Sequence, residues 1–484
     1  MSYLELLRLA APEAVIVVTA LAVIAIGLTS TRTAAICSGV AALGLALAVG
    51  AVLVLPQNAT LFGGMLVISP LNSLFKIICI VLALFTVLMT PSEKSLRNHG
   101  EYLAIILLAT IGLMLLVGSE EFLMIFIGLE LLGLSLYVMA AFDKTDLRSA
   151  EAGLKYFLFG STASAFTLFG ISFVYGMSGT TSLPAIAEKL TSASFQPLLA
   201  VGIIMTLVGF AFKIAAAPFH LWAPDAYQGA PVSSAAFIAS GSKVASFVVL
   251  GKIVLVGFAP VHGSADWHAM VAGWSPVLAA LAALSILVGN LVALAQTNVR
   301  RLLAYSAVAH AGYTLLGLVA GGRDGFSATL FYTTIYAITL VGAFGVVALV
   351  RRETGGDDFQ NFAGLWTRSP LLAGCMAIFV LSLAGIPPLA GFFGKFYLFS
   401  AALGAGGNHG LLWLVALALF GSLISLYYYL IVLKVIFVDE TGAQTSVVKV
   451  DLLSRLSLTL LALLVLVLGI TPETLAARII ASLP

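Results

Sequence analysis

Five ionisable side chains stand inside stretches that otherwise carry no charge, and their types suit the movement of protons. Glu130 lies near the middle of "EFLMIFIGLELLGLSLYVMAAF". A carboxylate at the centre of a bilayer costs about 3 kcal/mol, and so short a side chain cannot reach the headgroups, so a buried cation is its expected partner. Lys213 is the candidate. It closes the uncharged run Leu198–Ala211 and is followed at once by Pro218, Pro224 and Pro231. A Glu–Lys pair of variable separation would load a proton onto the amine and release it again. Lys243, in "FIASGSKVASFVVL", is flanked by Ser240 and Ser242, whose hydroxyls suit a relay. Lys395 has Gly391 and Gly394 beside it, which permit close approach of backbone. His310, within "RRLLAYSAVAHAGYTLLG", offers an imidazole, the ordinary proton carrier near neutrality, between two lysines.

Each residue has a plainer alternative. A lone membrane histidine can be a satisfied core residue, and a lysine near a span end can snorkel to the headgroups along its methylene stem. Lys155, in "AEAGLKYFLFG", fits an inlet for protons and snorkelling equally well. His220 stands at the proline-rich break, where it could control access. Lys76, Lys252 and Lys434 read as snorkelling or packing residues, and Arg300 and Arg301 as anchors at the membrane surface. Tyrosine clusters such as "SLYYYLIVL" read as bundle packing or interfacial belt.

These groups need elements to hold them, and composition says which. Of 484 residues 61% are hydrophobic and 9% charged, against the roughly 25% charged residues of soluble chains. Uncharged runs near the ~20 residues of a spanning helix recur throughout. They place spans at 10–29, 34–55, 67–90, 101–118, 121–142, 153–177, 197–220, 230–258, 272–296, 300–321, 326–350, 369–400, 409–436 and 452–471. The expected fold is an all-α polytopic membrane protein of about fourteen spans. The opening stretch "APEAVIVVTALAVIAIGL" reads as a retained span, because it is too long for a signal sequence and lacks a cleavage motif.

Two spans are interrupted, the seventh at "AAAPFH" and the twelfth at "SLAGIPPLAGFFGK". Proline removes a backbone donor, and in lipid the freed carbonyls must be satisfied by protein or by a water-filled cavity. The breaks are five spans apart and each has a lysine nearby. Five spans are an odd number of crossings, so two such units insert with opposite topology, a transporter design with midplane sites. The expected division is a three-span segment at 1–100, a first five-span repeat at 101–258, a second, inverted repeat at 272–436, and a last span within 437–484.

The loops after odd-numbered spans hold most basic residues outside the membrane, among them Lys144, Arg148, Arg300, Arg301, Arg351 and Arg352. The opposite side holds only Arg8, Lys189, Arg323 and Arg478. Positive residues stay inside, so both termini are expected on the outer, periplasmic face. The net charge of +2 and the lack of a basic tail give nucleic acid no footing.

Cys37, Cys79 and Cys375 lack metal-ligand spacing, so no iron–sulfur or zinc site is expected in this chain. Nor is there a dinucleotide fingerprint, a Walker A loop or a haem ligand pair. Moving one charge against roughly 150 mV costs about 3.5 kcal/mol, so the driving energy must come from partners or from a counter-ion gradient.

Four stretches, "GLELLGLSLYVM", "FKIAAAPFHLWAPDAYQGAP", "QTNVRRLLAYSAVAHAGY" and "SLAGIPPLAGFFGKFYLF", together with the span layout, resemble the antiporter-like membrane subunits of respiratory complex I and their relatives in cation/proton antiporters. The lysine in "GFFGKFYLF", where a sibling subunit has a glutamate, and a length without room for a long lateral helix point to one branch of that family. Where the family usually reads "APK" around the eighth-span lysine, this chain reads "SGSK", with Lys243 itself matched. The resemblance implies that Glu130 and Lys213 form a coupling pair, that Lys243 and His310 lie on a central hydrophilic axis, that Lys395 is the terminal proton-exchange residue, and that Lys155 matches a further family lysine. It implies other membrane-arm subunits as partners, including neighbouring antiporter-like ones, with FMN, iron–sulfur clusters and quinone held by partner chains, in a bacterial inner membrane. The alternative is a subunit of a multi-subunit sodium/proton antiporter, although a single midplane acid among several lysines suits protons better than sodium.

Overall fold

The structure is a computed structural model and describes residues 3–29, 34–93, 96–192, 196–405, 409–440, 448 and 450–483. Among these, twelve helices are long and apolar enough to cross a bilayer. The seventh and twelfth spans are the exceptions. They are broken into shorter apolar pieces, Pro197–Lys213 followed by Trp222–Gly229, and Pro370–Ala384 followed by Ala390–Gly404. The all-α polytopic fold of about fourteen spans is therefore observed, with both expected interruptions.

Local chemistry sets the helix ends. Ser69 accepts from the Asn72 amide ahead of Pro70, Asp146 caps Leu147–Ser178, and Asn298 caps Val299–Ala320. Gly385, with φ of 86°, ends Pro370–Ala384 in the left-handed conformation that glycine adopts freely. The peptide bonds Ala217–Pro218 and Pro387–Pro388, one at each break, are cis.

Burial sorts the spans by task. The eighth, tenth and eleventh (Val232–Gly257, Val299–Ala320 and Gly322–Thr354) are 94% buried over their apolar windows, whereas the first, sixth and fourteenth are buried over only about a third. The central three carry Lys243 and His310; the peripheral ones present leucine and phenylalanine to the outside of the bundle.

Three features were not foreseen. A short antiparallel hairpin pairs Ala59–Leu61 with Leu66–Ile68 between the second and third spans. The eighth span is itself interrupted at Ser240, between Val232–Ala239 and Gly241–Lys252, and ends in a π-helical turn at Ile253–Gly257. A ten-residue helix, Glu473–Ser482, follows the last span.

Candidate functional site: a buried lysine and histidine axis

The first break positions Lys213. Its helix stops at that residue, and the broken backbone is satisfied from within the protein. The Ala217 amide donates to the Ser285 hydroxyl of the ninth span (2.8 Å), and the Trp222 indole donates to the Phe212 carbonyl (3.1 Å). The Lys213 ammonium is buried without a hydrogen-bond partner among the described residues. It lies 5.6 Å from the Tyr137 ring centroid and 5.9 Å from that of Phe212. Glu130 is not in contact with it. The Glu130 carboxylate instead accepts from the Ser164 hydroxyl (2.5 Å). Both residues line one cavity of about 10 Å³, together with Phe126, Ala163 and Thr167, room for about a single water. The expected pair is thus assembled around a shared cavity and is not in direct contact. Gly133 leaves room for the ammonium, because a Cβ there would lie 2.8 Å from the Lys213 Nζ, and Gly160 leaves room for the Tyr137 hydroxyl.

Lys243 lies beyond the interruption at Ser240. It donates to the Ala307 carbonyl (2.7 Å) and sits 5.4 Å from the Tyr336 ring. One helical turn on from Ala307, His310 has a tyrosine hydroxyl at each nitrogen, Tyr332 at Nδ1 (2.5 Å) and Tyr429 at Nε2 (3.0 Å). The Tyr429 hydroxyl also bonds the hydroxyl of Ser306. At the second break Lys395 donates to the Ala384 carbonyl and the Ser422 hydroxyl, both at 2.9 Å, and lies 5.3 Å from the Tyr313 ring. The Tyr313 hydroxyl accepts from the Asn290 amide (2.9 Å), whose oxygen accepts from Tyr428 (3.1 Å). Hydroxyls thus bracket His310, while Lys243 reaches its helix through the Ala307 carbonyl and Lys395 meets Tyr313 only through the face of its ring.

The two repeats use the same local device. Each break lysine sits over a tyrosine ring from the second helix of its own repeat, Tyr137 for Lys213 and Tyr313 for Lys395. They differ in counter-groups. Lys395 has two neutral oxygen acceptors, whereas Lys213 faces a cavity shared with a carboxylate.

The remaining ionisable residues sort differently. Lys155 lies apart from these buried groups. It is partly exposed and forms ion pairs with Glu151 (2.6 Å) and Asp225 (2.7 Å), which also binds Arg301 (2.8 Å). His220 is buried, 6.3 Å from the Tyr305 ring, with Nδ1 unpaired among the described residues. Arg300 is no surface anchor: it is buried, ion-paired to Asp357, and donates to the Ala230 carbonyl at 2.8 Å. Lys76 and Lys252 do not snorkel, being buried and paired, while the side chain of Lys434, 66% exposed, does reach out. Of the "YYY" cluster only Tyr427 is exposed. Tyr428 and Tyr429 are buried on the axis. A polar stripe at i, i+3 and i+7, Ser422, Ser425 and Tyr429, was the signal available for it.

A long-spanned bundle with two inverted repeats, two broken helices and buried lysines at both breaks defines the class of antiporter-like membrane subunits. Residues 119–425 match the family model described as NADH:quinone oxidoreductase/Mrp antiporter, transmembrane. The chain is 46% identical to NADH-quinone oxidoreductase subunit N 2 of Acidobacterium capsulatum, over 98% of each chain. Its fold is similar to that of a chain in respiratory complex I from Thermus thermophilus with bound aureothin, with a TM-score of 0.79, 32% identity, and 96% and 98% of the two chains covered. A chain of the Mrp complex from Dietzia sp. DQ12-45-1b shares the fold at TM-score 0.84 and 22% identity, covering 98% and 97%. The protein belongs to the NADH:quinone oxidoreductase/Mrp antiporter family, within its NADH-quinone oxidoreductase subunit N branch.

Proposed function

We propose that this chain is a proton-translocating membrane-arm subunit of NADH:quinone oxidoreductase, resident in a bacterial plasma membrane. Quinone reduction in partner subunits supplies the energy, and the buried axis of Glu130, Lys213, Lys243, His310 and Lys395 carries the proton. The observation that supports this most is the burial of Lys243, His310 and Lys395 in the bundle, with a hydroxyl at each nitrogen of His310 and Lys243 bonded to the carbonyl of Ala307 one helical turn before it. The Mrp-type alternative of sodium/proton exchange has less support, since the axis offers one carboxylate and several ammonium groups.

In this reading Lys213 is the switching group. Its ammonium has no neutral acceptor, so its charge depends on Glu130 across the shared cavity. When the two approach, the ammonium form is favoured. When they separate, the buried amine gives its proton up towards Lys243. His310 then passes it on, taking a proton at one ring nitrogen and losing one at the other, with Tyr332 and Tyr429 holding the ring in place. Lys395 is the last carrier. Lys155, in its ion cluster with Asp225, stands at the inner end as a guide for charge.

The test uses membranes carrying Lys213→Ala with assembly verified, assayed for NADH-driven quinone reduction and for the proton gradient built. Joint loss of both with the complex intact is the expected result. Unchanged reduction and pumping, with altered sodium/proton exchange, would replace this reading by the antiporter one.

A further inference from the structure

Lys252 lies on the same span as Lys243 but faces the other way, since nine positions (252 − 243) at 3.6 residues per turn rotate the side chain by about half a turn. It enters the joint between the first three spans and the repeats. Its ammonium donates to the amide oxygen of Asn72 (2.6 Å), to the carbonyl of Val117 (2.8 Å) and to that of Ser119 (3.5 Å), and lies 3.5 Å from the Glu120 carboxylate. The residue is 3% exposed. The Asn72 amide is held in this orientation because its nitrogen donates to the Val67 carbonyl of the hairpin (2.7 Å).

The oxygens have a common character. Val117 and Ser119 stand at the C-terminal end of the helix His99–Gly118, where the last carbonyls lack helical donors and the helix dipole is negative. Helix-end carbonyls, an amide oxygen and one carboxylate form the donor set that membrane transporters use for a monovalent metal cation. A lysine ammonium is a compact point charge of the same sign. The neighbouring Lys76 does not compete for this set, being paired to Glu13 at 2.6 Å. The π-helical turn Ile253–Gly257 begins at the next residue, a deformation often retained where a helix serves a site.

We propose that these oxygens form a monovalent-cation site whose cation is the tethered ammonium of Lys252, and that this internal ion clasps the first three spans onto the five-span repeats. The position that an exchangeable sodium or potassium ion could occupy is thereby permanently filled. The assignment does not depend on the proton path.

The experiment uses the assembled complex carrying Lys252→Ala or Lys252→Met, with the thermal midpoint for loss of NADH:quinone activity and native-gel integrity measured in sodium, potassium and choline chloride at equal ionic strength. Lys252→Ala opens the site, and is expected to melt several degrees lower in choline and to recover most of that loss in sodium or potassium. Lys252→Met fills the space with an apolar chain and should show no cation dependence, as should the parent protein. Asn72→Ala added to Lys252→Ala should remove the recovery. Equal behaviour of Lys252→Ala in the three salts overturns the assignment, as does recovery that survives loss of Asn72. Failure of Lys252→Ala to assemble in potassium-rich cells overturns it too, because the open site would then be filled.

Discussion

A buried ammonium keeps its charge only through its neighbours, and three lysines of this chain show three solutions. Lys243 leans on one carbonyl, Lys395 on a carbonyl and a hydroxyl, and Lys213 on aromatic faces and a carboxylate that it does not touch. The last arrangement is the most sensitive to small movements, which makes Glu130 the residue to alter. Glu130→Gln keeps the shape and the Ser164 contact while removing the charge, and is expected to lower pumping on the order of tenfold, about 1.4 kcal/mol. The proton gradient built by membranes carrying the assembled complex, with NADH-driven quinone reduction followed alongside, measures it. Tyr429→Phe removes only the hydroxyl between His310 and Ser306. A few-fold fall in pumping by the assembled complex is expected, together with the modest loss of melting temperature that two unpaired buried partners bring, whereas a purely packing role would lower the melting temperature and leave pumping unchanged.

At the scale of elements, the breaks hold their shape because other helices satisfy them. Ser285→Ala leaves the buried Ala217 amide unpaired, at a cost of about 1–3 kcal/mol, which thermal melting of the purified complex would detect. The start of the tenth span and the end of the eleventh are tied by Asp357 to Arg300 and Arg351. Burial alone would raise the Asp357 carboxyl, but the two guanidinium groups outweigh it and hold the group below the ordinary aspartate range. A depressed pKa means that stability is fully present above the unfolded value, about 3.9, and is lost as pH falls through the still lower folded value. The tie is therefore intact at neutral pH and fails only in strong acid. Asp357→Asn should cost about 3 kcal/mol at neutral pH, since one partner of a buried pair is removed. Melting curves at several pH values check both statements.

For the whole molecule, an even number of spans puts both termini on one face, and the lysine and arginine bias leads us to propose that this face is the outer one. Cysteines introduced as Thr145→Cys and Ser482→Cys should react with a membrane-impermeant thiol reagent from opposite sides, Ser482→Cys from outside. The reverse pattern would invert the orientation and every statement about inlet and outlet. The aromatic and leucine side chains of the sixth span, such as Phe159, Phe166 and Phe169, face outward and belong to lipid or to neighbouring subunits.

The sequence by itself determined the number of spans, the two breaks and the burial of Lys213, Lys243, His310 and Lys395, because hydropathy, proline and a charge inside an apolar run are local signals whose costs in a bilayer have few remedies. It could not say which oxygen each ammonium would meet. Glu130 and Lys213 share a cavity without touching. Lys155, for which an inlet and snorkelling stood open, meets Asp225 and Glu151, while Arg300 goes inside to meet Asp357. Lys76 and Lys252, which local hydropathy reads as snorkelling, are enclosed instead by helices far away in sequence. Tyr428 and Tyr429 turn inward where Tyr427 turns out. These outcomes depend on which faces of distant helices meet, and a side chain's partner is set by that packing rather than by its neighbours along the chain.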